Sequence, residues 1–225
     1  MKRREVLLQM ASRIRAIALQ RHIEDGAHKT PETYRRVMRS LVTALFDRQM
    51  DEFAFVDAMI PLIDKQLTLA WTVGAYDVGV LEAEFTMEDI QHFEAIVNNE
   101  YQFILRFAQD IADTRDAGGE INALLARVDL WANRYNDVVN EAHVWFGGKT
   151  RLTWRLGKTE EHCDTCQRLN GIVAFASEWD ASGVRPQHPP NPHLQCEGWR
   201  CDCYLDPTDQ RRSPRAMEQI LNIVM

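Results

Sequence analysis

Apolar residues recur every three or four positions through most of the first 150 residues, which is the period of an amphipathic α-helix. The pattern predicts five helices: at residues 5–22, from Thr30-Pro31, from Asp51, from Thr86 and at residues 120–145. Pro61 lies near the middle of the third helix and is expected to kink or split it. Gly74 and Gly79 mark a weaker stretch after it. We interpret the apolar stripes as the core of a helix bundle.

The pattern changes after Gly147-Gly148, where the apolar runs become short. Three of these runs are predicted as strands, at residues 151–156, 172–175 and 200–205. The proline-rich residues 183–192 cannot form regular structure. A short C-terminal helix is predicted to begin at Ser213-Pro214.

Composition separates the same two regions. All five cysteines lie between Cys163 and Cys203, and six of the eight prolines lie from Pro186 onward. Residues 1–50 carry 11 basic and five acidic side chains, whereas residues 51–100 carry one basic and 11 acidic. The net charge of −7 over 225 residues argues against duplex DNA binding across the whole surface. We interpret the basic segment first as a solvated helix face, which could also contact nucleic acid or an acidic partner.

No membrane or secretion signal is predicted. Polar residues interrupt the apolar run that follows the basic start, and the most apolar window, residues 53–71, contains three charged side chains. In a cytosol the thiols stay reduced, and clustered reduced cysteines favour a bound metal over disulfides.

The cysteines have the spacing of a metal site, with Cys163-x2-Cys166 followed after 29 residues by Cys196-x4-Cys201-x-Cys203. A C-x2-C turn brings two thiolates together, and a second pair from a distant loop completes a tetrahedron around zinc, with Zn–S distances of about 2.3 Å. Binding of the ion would supply folding free energy to a region with few apolar residues. We therefore predict a structural zinc site.

Five cysteines exceed the four positions of a tetrahedral site. If residues 200–205 are extended, Cys201 and Cys203 point to one face and both can bind, which leaves Cys196 spare. Alternatively, Cys196 and Cys201 bind while Cys203 is buried beside the ion. Free buried thiols or disulfides are the alternatives without a metal. Three histidines are also near in sequence: His162, His188 and His193. A catalytic zinc is not predicted, because the chain has no H-E-x-x-H pattern and its H-x-E sequences, at residues 22–24 and 92–94, lie outside the cysteine region.

These patterns predict an α+β chain, with a mainly helical N-terminal region followed by a small, loop-rich zinc-knuckle module with short strands. The predicted divisions are a helical region at residues 1–148, the cysteine-rich module at 149–212 and a C-terminal helix at 213–225. Trp154, Trp179 and Trp199 are expected to pack around the metal module, since small zinc domains need large side chains to build a core.

The cysteine region combines several short motifs: Trp154, Cys163-x2-Cys166, Leu169-x-Gly171, Pro189-Pro190, His193-x2-Cys196 and Cys201-x-Cys203. This series resembles the phage Mu F-like minor head protein family, also called phage head morphogenesis proteins. The resemblance covers about residues 120–207. Residues 197–200 separate two elements that are fused in the simplest family pattern, which leaves the choice of ligands open.

The resemblance implies a non-enzymatic component of the virion that sits with the portal of a tailed-phage head in several copies. It implies a role in head assembly and in DNA packaging or ejection, with host cytoplasm as the place of assembly. The implied partners are the portal protein, other head or connector proteins, and packaged DNA through the basic residues 1–50.

Two other function classes stay open from the residues alone. One is a metal-dependent enzyme acting on nucleic acid, for which Glu160, Glu161, His162 and Asp164 are the available side chains; we interpret them as a solvated rim. The other is a zinc-ribbon nucleic-acid binder using Trp199 and several arginines, although nearby acidic residues cancel their charge.

Overall fold

The computed structural model describes residues 30–199 and 201–224. It forms two compact units. The first, the helical unit, comprises the described residues up to Leu69 together with Leu81–Gly119. The second, the cysteine unit, comprises Ala70–Val80 and the chain from Glu120 onward. The helix predicted at residues 5–22 lies outside the described residues.

The helical unit is built from three helices that follow the predicted apolar stripes: α1 (Thr30–Phe46), the first part of α2 (Glu52–Asp77) and α3 (Met87–Asp116). A short 3-10 turn at Glu82–Glu84 precedes α3. The core of this unit consists of large aliphatic and aromatic side chains, among them Met38, Val42, Leu45, Phe55, Met59, Ile63, Ile104, Phe107 and Ile111. The Phe55 and Phe107 rings meet edge to face with their centroids 6.1 Å apart.

The predicted start of α3 is confirmed. The Thr86 hydroxyl accepts a hydrogen bond from the Asp89 backbone N–H, and the Asp89 carboxylate accepts one from the Thr86 backbone N–H at 2.6 Å. This capping box satisfies two amide groups that the first helical turn leaves without partners.

Of the two outcomes expected at Pro61, a kink or a split, the split does not occur, because α2 continues from Glu52 to Asp77 with Pro61 inside it. A proline in a helix interior loses one backbone hydrogen bond and costs about 3 kcal/mol relative to alanine. The neighbouring side chains Met59 and Ile63 are buried, so packing offsets that cost. The helix also passes through Gly74, where a Cβ would lie 2.6 Å from that of Ala142 in the same unit. The glycine therefore permits close helix packing.

The cysteine unit combines helix α4 (Asn122–Gly147) with a small antiparallel sheet. The strands are β1 (Arg151–Arg155), β2 (Val173–Phe175) and β3 (Tyr204–Pro207), in the order β2-β1-β3. Leu152 lies opposite Ala174 on one side and Pro207 on the other. Three short helices complete the unit: α5 (Asp164–Leu169), α6 (Ala176–Ser182) and α7 (Ala216–Val224).

The third strand is displaced from its predicted position, since pairing begins at Tyr204, after the last cysteine. Cys201–Cys203 form a non-strand segment that turns toward the other cysteines. Residues 183–192 contain no helix or strand, as predicted. Helices α5 and α6 were not predicted, because six or seven residues show too little of the helical period to be recognised.

The core of the cysteine unit is centred on two tryptophans. Trp154 on β1 and Trp179 on α6 are almost fully buried, with ring centroids 5.7 Å apart, and the Trp179 indole N–H donates to the Leu152 carbonyl. The C-terminal helix contributes Ala216 and Ile220 to the same core. Helix α4 belongs to the cysteine unit, whereas the predicted division assigned it to the helical region at residues 1–148. The predicted mainly helical chain with a small C-terminal set of strands is thus confirmed at the level of an α+β fold.

Within residues 30–199 and 201–224, no helix combines the length and the apolar character needed to cross a membrane.

Candidate metal centre

The first two cysteines are placed by helix α5. Cys163 is the N-cap residue of that helix, and its Sγ accepts a hydrogen bond from the Cys166 backbone N–H at 3.5 Å. An N-cap residue and the third residue of the helix that follows lie on the same side of the first turn. The C-x2-C spacing therefore brings both sulfur atoms together through local backbone geometry, before any distant contact is made.

Cys196 comes from a series of tight turns. The Trp199 backbone N–H donates to the Cys196 carbonyl at 2.9 Å, and Glu197 and Gly198 both adopt positive φ values. Gln195 connects this segment to α5, because its side-chain oxygen accepts from the Asp164 backbone N–H at 3.0 Å. These contacts set the position of Cys196 relative to the C-x2-C turn.

Cys201 and Cys203 lie just before strand β3. The Asp202 carboxylate between them accepts a hydrogen bond from the Lys158 backbone N–H at 2.9 Å. Gly157 packs directly on the Asp202 backbone, and a Cβ there would lie 2.0 Å from the Asp202 carbonyl oxygen. The segment after β1 therefore holds the last two cysteines in place.

All five cysteine side chains meet in one region, as two overlapping groups. In the first group the sulfurs of Cys163, Cys166 and Cys196 lie within 4.8 Å of one another, and in the second those of Cys166, Cys201 and Cys203 do so. All five are free thiols. Cys166, Cys201 and Cys203 are buried, whereas Cys163 and Cys196 are half-buried. The groups are close enough to hold a metal ion.

The cysteines line a cavity of about 300 Å³ together with Thr159, Glu161, His162 and Trp199. The imidazole of His162 points its Nδ1 toward Cys203, at 3.8 Å from Sγ, and the same nitrogen lies 3.3 Å from the Thr159 hydroxyl. His162 is thus the histidine that the structure brings to the cysteines.

The donor spacing fits a thiolate-bound ion. Four sulfurs at the usual zinc distance form a tetrahedron with edges of roughly 3.8 Å. The Sγ atoms of Cys166 and Cys201 are 3.9 Å apart. Soft thiolate donors of this kind select zinc and related ions over magnesium or calcium.

The crowded thiols shift one another's acidity in opposite directions. Hydrogen bonds with Cys196, Cys201 and Cys203 raise the pKa of Cys166, and burial raises it further. Hydrogen bonding to Cys166 lowers the pKa of Cys201 and of Cys203. The backbone N–H of Gly157 and the indole N–H of Trp154 also lower the pKa of Cys203. A metal ion can replace the protons of such closely spaced thiols, because metal binding requires deprotonated ligands.

The other two candidate histidines lie elsewhere. The exposed His193 is beside Gly183 and does not line the cavity. His188 Nδ1 lies 2.9 Å from the Asp137 carboxylate on α4. At the rim, Glu160, Glu161 and Asp164 are exposed. Of the three tryptophans expected around the metal module, Trp154 and Trp179 are core residues, whereas Trp199 is 44% exposed at the cavity.

Sequence reasoning missed a buried polar network that attaches the proline-rich loop to α4. The carboxylate of Asp137 contacts Arg134 and His188, and Glu141 pairs with Arg185. The Arg185 guanidinium lies 3.1 Å from His188 Nε2 and can only donate, so the imidazole proton is on Nδ1, facing Asp137. The available signal was the polar series Arg134, Asp137 and Glu141, spaced three and four residues apart on one side of the helix.

Comparison with protein-family models, with curated proteins and with solved structures finds no match to this chain.

Proposed function

We propose that this chain is a minor structural protein of a tailed-phage head, associated with the portal and acting in head morphogenesis and in DNA packaging or ejection. In this proposal the cysteine unit is stabilised by a structural zinc site and carries out no catalysis. The observation that carries the proposal is the convergence of the five cysteines of the family-like motif on one cavity.

The positions of the cysteines in the fold support a structural role for the metal. They come from three separate segments, namely the start of α5, the turns around Cys196 and the residues before β3. The three segments meet in one apolar core that includes Leu169, Leu194 and Leu205, and an ion bound by all three would add folding free energy. The five cysteines outnumber the four positions of a tetrahedral ion, whereas a catalytic zinc keeps one position open for water or substrate.

The basic face of α1 suits contact with an acidic partner or with DNA. Arg35, Arg36 and Arg39 line a surface cavity of about 650 Å³ in the helical unit, and Arg36 and Arg39 are exposed. Arg36 and Arg39 are the more exposed of the three, so we assign these side chains to this contact. Neutralising phosphates or carboxylates with arginines produces binding that weakens steeply with salt.

The decisive experiment is co-purification of the full chain with the portal protein encoded in the same genome, with zinc measured in the same sample. A stable complex with the portal supports the virion role, and failure to bind portal or other head proteins overturns it. A folded protein that contains no zinc after expression in zinc-supplemented medium overturns the structural metal site. Salt-sensitive binding to DNA tests the contact with packaged DNA separately.

The exposed Trp199 favours one alternative, a zinc-ribbon nucleic-acid-binding or metal-dependent nucleic-acid-processing protein. An aromatic ring beside a metal site can stack on an unpaired base, with a contribution of about 1–3 kcal/mol. The neighbouring Glu161, Glu197 and Asp202 oppose binding of a polyanion. Quenching of Trp199 fluorescence by single-stranded oligonucleotides, compared between the full chain and Trp199→Leu, distinguishes the two functions.

A further inference from the structure

The indole N–H groups of the two core tryptophans in the cysteine unit meet different partners. Trp154 and Trp179 are both almost fully buried, and their rings pack against each other. The Trp179 N–H donates to the Leu152 carbonyl at 3.2 Å. The Trp154 N–H is also buried, but it has no oxygen or nitrogen acceptor among the described residues. Because a buried donor without an acceptor is costly, a different kind of acceptor is expected beside it.

The register of the sheet brings the sulfur of Cys203 to this indole. Trp154 on β1 lies opposite Leu205 on β3. Cys203 and Leu205 are buried while Tyr204 between them is exposed, so Cys203 points to the same face as Leu205. Cys203 is therefore the diagonal neighbour of Trp154, at a separation that an aromatic side chain can span. The three buried residues belong to one core cluster.

Two N–H groups donate to the Cys203 sulfur, namely the Trp154 indole and the Gly157 backbone amide. A neutral thiol is a weak acceptor, whereas hydrogen bonds to an ionised acceptor are roughly twice as strong as neutral ones. No described Lys or Arg side chain lines the cavity, so N–H dipoles compensate the charge of a thiolate at this position. The arrangement fits a metal-bound thiolate at Cys203 better than the fifth thiol that a four-coordinate ion leaves unbound.

We propose that Trp154 is a positioning residue of the metal site, whose indole N–H donates to the Cys203 thiolate, orients it toward the ion and reduces the charge that it donates. The inference rests on the proposed zinc site and adds a residue that tunes one of its ligands. The Trp179 ring, with its centroid 5.7 Å from that of Trp154, holds the indole in this orientation. Hydrogen bonds to ligand sulfurs adjust the electronic properties of metal–thiolate centres, and loss of such a partner costs about 10–100-fold in metal affinity.

The test compares Trp154→Phe with Trp179→Phe in the full chain. Each variant keeps a buried aromatic ring and loses one indole N–H, so the two differ in whether that group faced the sulfur. Cobalt(II) is the probe, because its thiolate-to-metal charge-transfer band reports the electron density on the sulfurs. In Trp154→Phe we expect this band to move to longer wavelength and the zinc affinity to fall by about 10–100-fold. Trp179→Phe should keep the band position and the zinc affinity of the wild type.

The position of the charge-transfer band separates the possible failures. A folded Trp154→Phe chain that binds cobalt with an unshifted band overturns the proposal, even if its zinc affinity falls, because the role of the side chain is then only structural. The metal site itself stands in that case. A wild-type chain that binds neither cobalt nor zinc overturns the proposed metal site instead.

If Trp154→Phe fails to fold, NMR of the chain loaded with ¹¹³Cd replaces it. An N–H group that donates to a metal-bound sulfur shows scalar coupling between its proton and the cadmium nucleus. A ¹H–¹¹³Cd correlation to an indole N–H that persists in Trp199→Leu, which removes the other indole at the cavity, supports the proposal. The absence of any such indole correlation from the cadmium-loaded chain overturns it.

Discussion

Gly157 is the residue through which a single methyl group should disturb the metal site without removing a ligand. It lies against the backbone of Asp202, between Cys201 and Cys203. A Cβ at position 157 would lie 2.0 Å from the Asp202 carbonyl oxygen and 2.4 Å from its carbonyl carbon. The φ angle of Gly157 is not in the positive range, so Gly157→Ala acts through this steric contact alone.

The size of the effect follows from the distance. Non-bonded carbon and oxygen atoms need about 3 Å, so the segment that carries Cys201 and Cys203 must move by about 1 Å. Overpacking of this kind costs about 1–3 kcal/mol of unfolding free energy. Ligands must be held to within roughly 0.5 Å of their productive geometry. We therefore expect zinc affinity to fall by about 10–100-fold, as it does when the groups that support metal ligands are removed.

The assay is a competition titration of zinc between the purified chain and a chromophoric chelator at neutral pH, combined with urea denaturation. The control is Gly79→Ala, which lies at φ +89° with no atom within 4 Å of the added Cβ. That variant should lose about 1 kcal/mol through backbone strain while its zinc affinity stays at the wild-type value. The reasoning is refuted if Gly157→Ala binds zinc as tightly as the wild type.

Three further predictions concern stability. Trp179→Ala should lower the unfolding free energy by about 3–5 kcal/mol in urea denaturation, because this side chain is almost fully buried, whereas Trp199→Ala at the exposed rim should cost much less. Pro61→Ala should raise the melting temperature in calorimetry, because it restores a helical hydrogen bond to the Asp57 carbonyl. The free energy of unfolding should increase by up to about 3 kcal/mol. An unchanged melting temperature would contradict this prediction. Burial, and then the charge of nearby guanidinium groups, lowers the pKa of His188 to about 4. The pKa of a histidine in the unfolded chain is about 6.5, so below that pH the unfolded state binds more protons than the folded state. Stability should therefore fall as the pH drops from about 6.5 to 4, and His188→Gln should flatten that fall.

The helices of the first half were predictable because their signals are local. The start of α3 is encoded by Thr86 and Asp89 within a single turn, and the apolar stripes of α1 and α3 show the face that is buried. The absence of a split at Pro61 was not predictable, because it depends on distant packing. Proline loses a backbone hydrogen bond within the helix, and this lowers helix stability. The burial of Met59 and Ile63 offsets that loss, and it depends on packing against other parts of the unit.

The cysteine unit was predictable in kind but not in detail. The C-x2-C spacing predicted that two sulfur atoms would lie close together. In the structure they do so because Cys163 is the N-cap residue of α5 and Cys166 lies in its first turn. The helix itself was missed, since six residues are marginal in isolation and depend on burial of Cys166 and Leu169. The third strand was expected four residues too early, because the segment before Tyr204 instead turns into the cavity.

The amino-acid sequence by itself determined where the long helices of the described residues lie, where their period ends and that the cysteines belong to one region. These properties depend on neighbours within a few turns of the chain, or on a spacing that constrains the backbone directly. Only the tertiary structure decided that His162 and not His193 joins the cysteines, that Cys166 belongs to two groups of donors, and that α4 packs with the cysteine unit. Each of these depends on packing between segments far apart in the chain, which no local pattern of residues encodes.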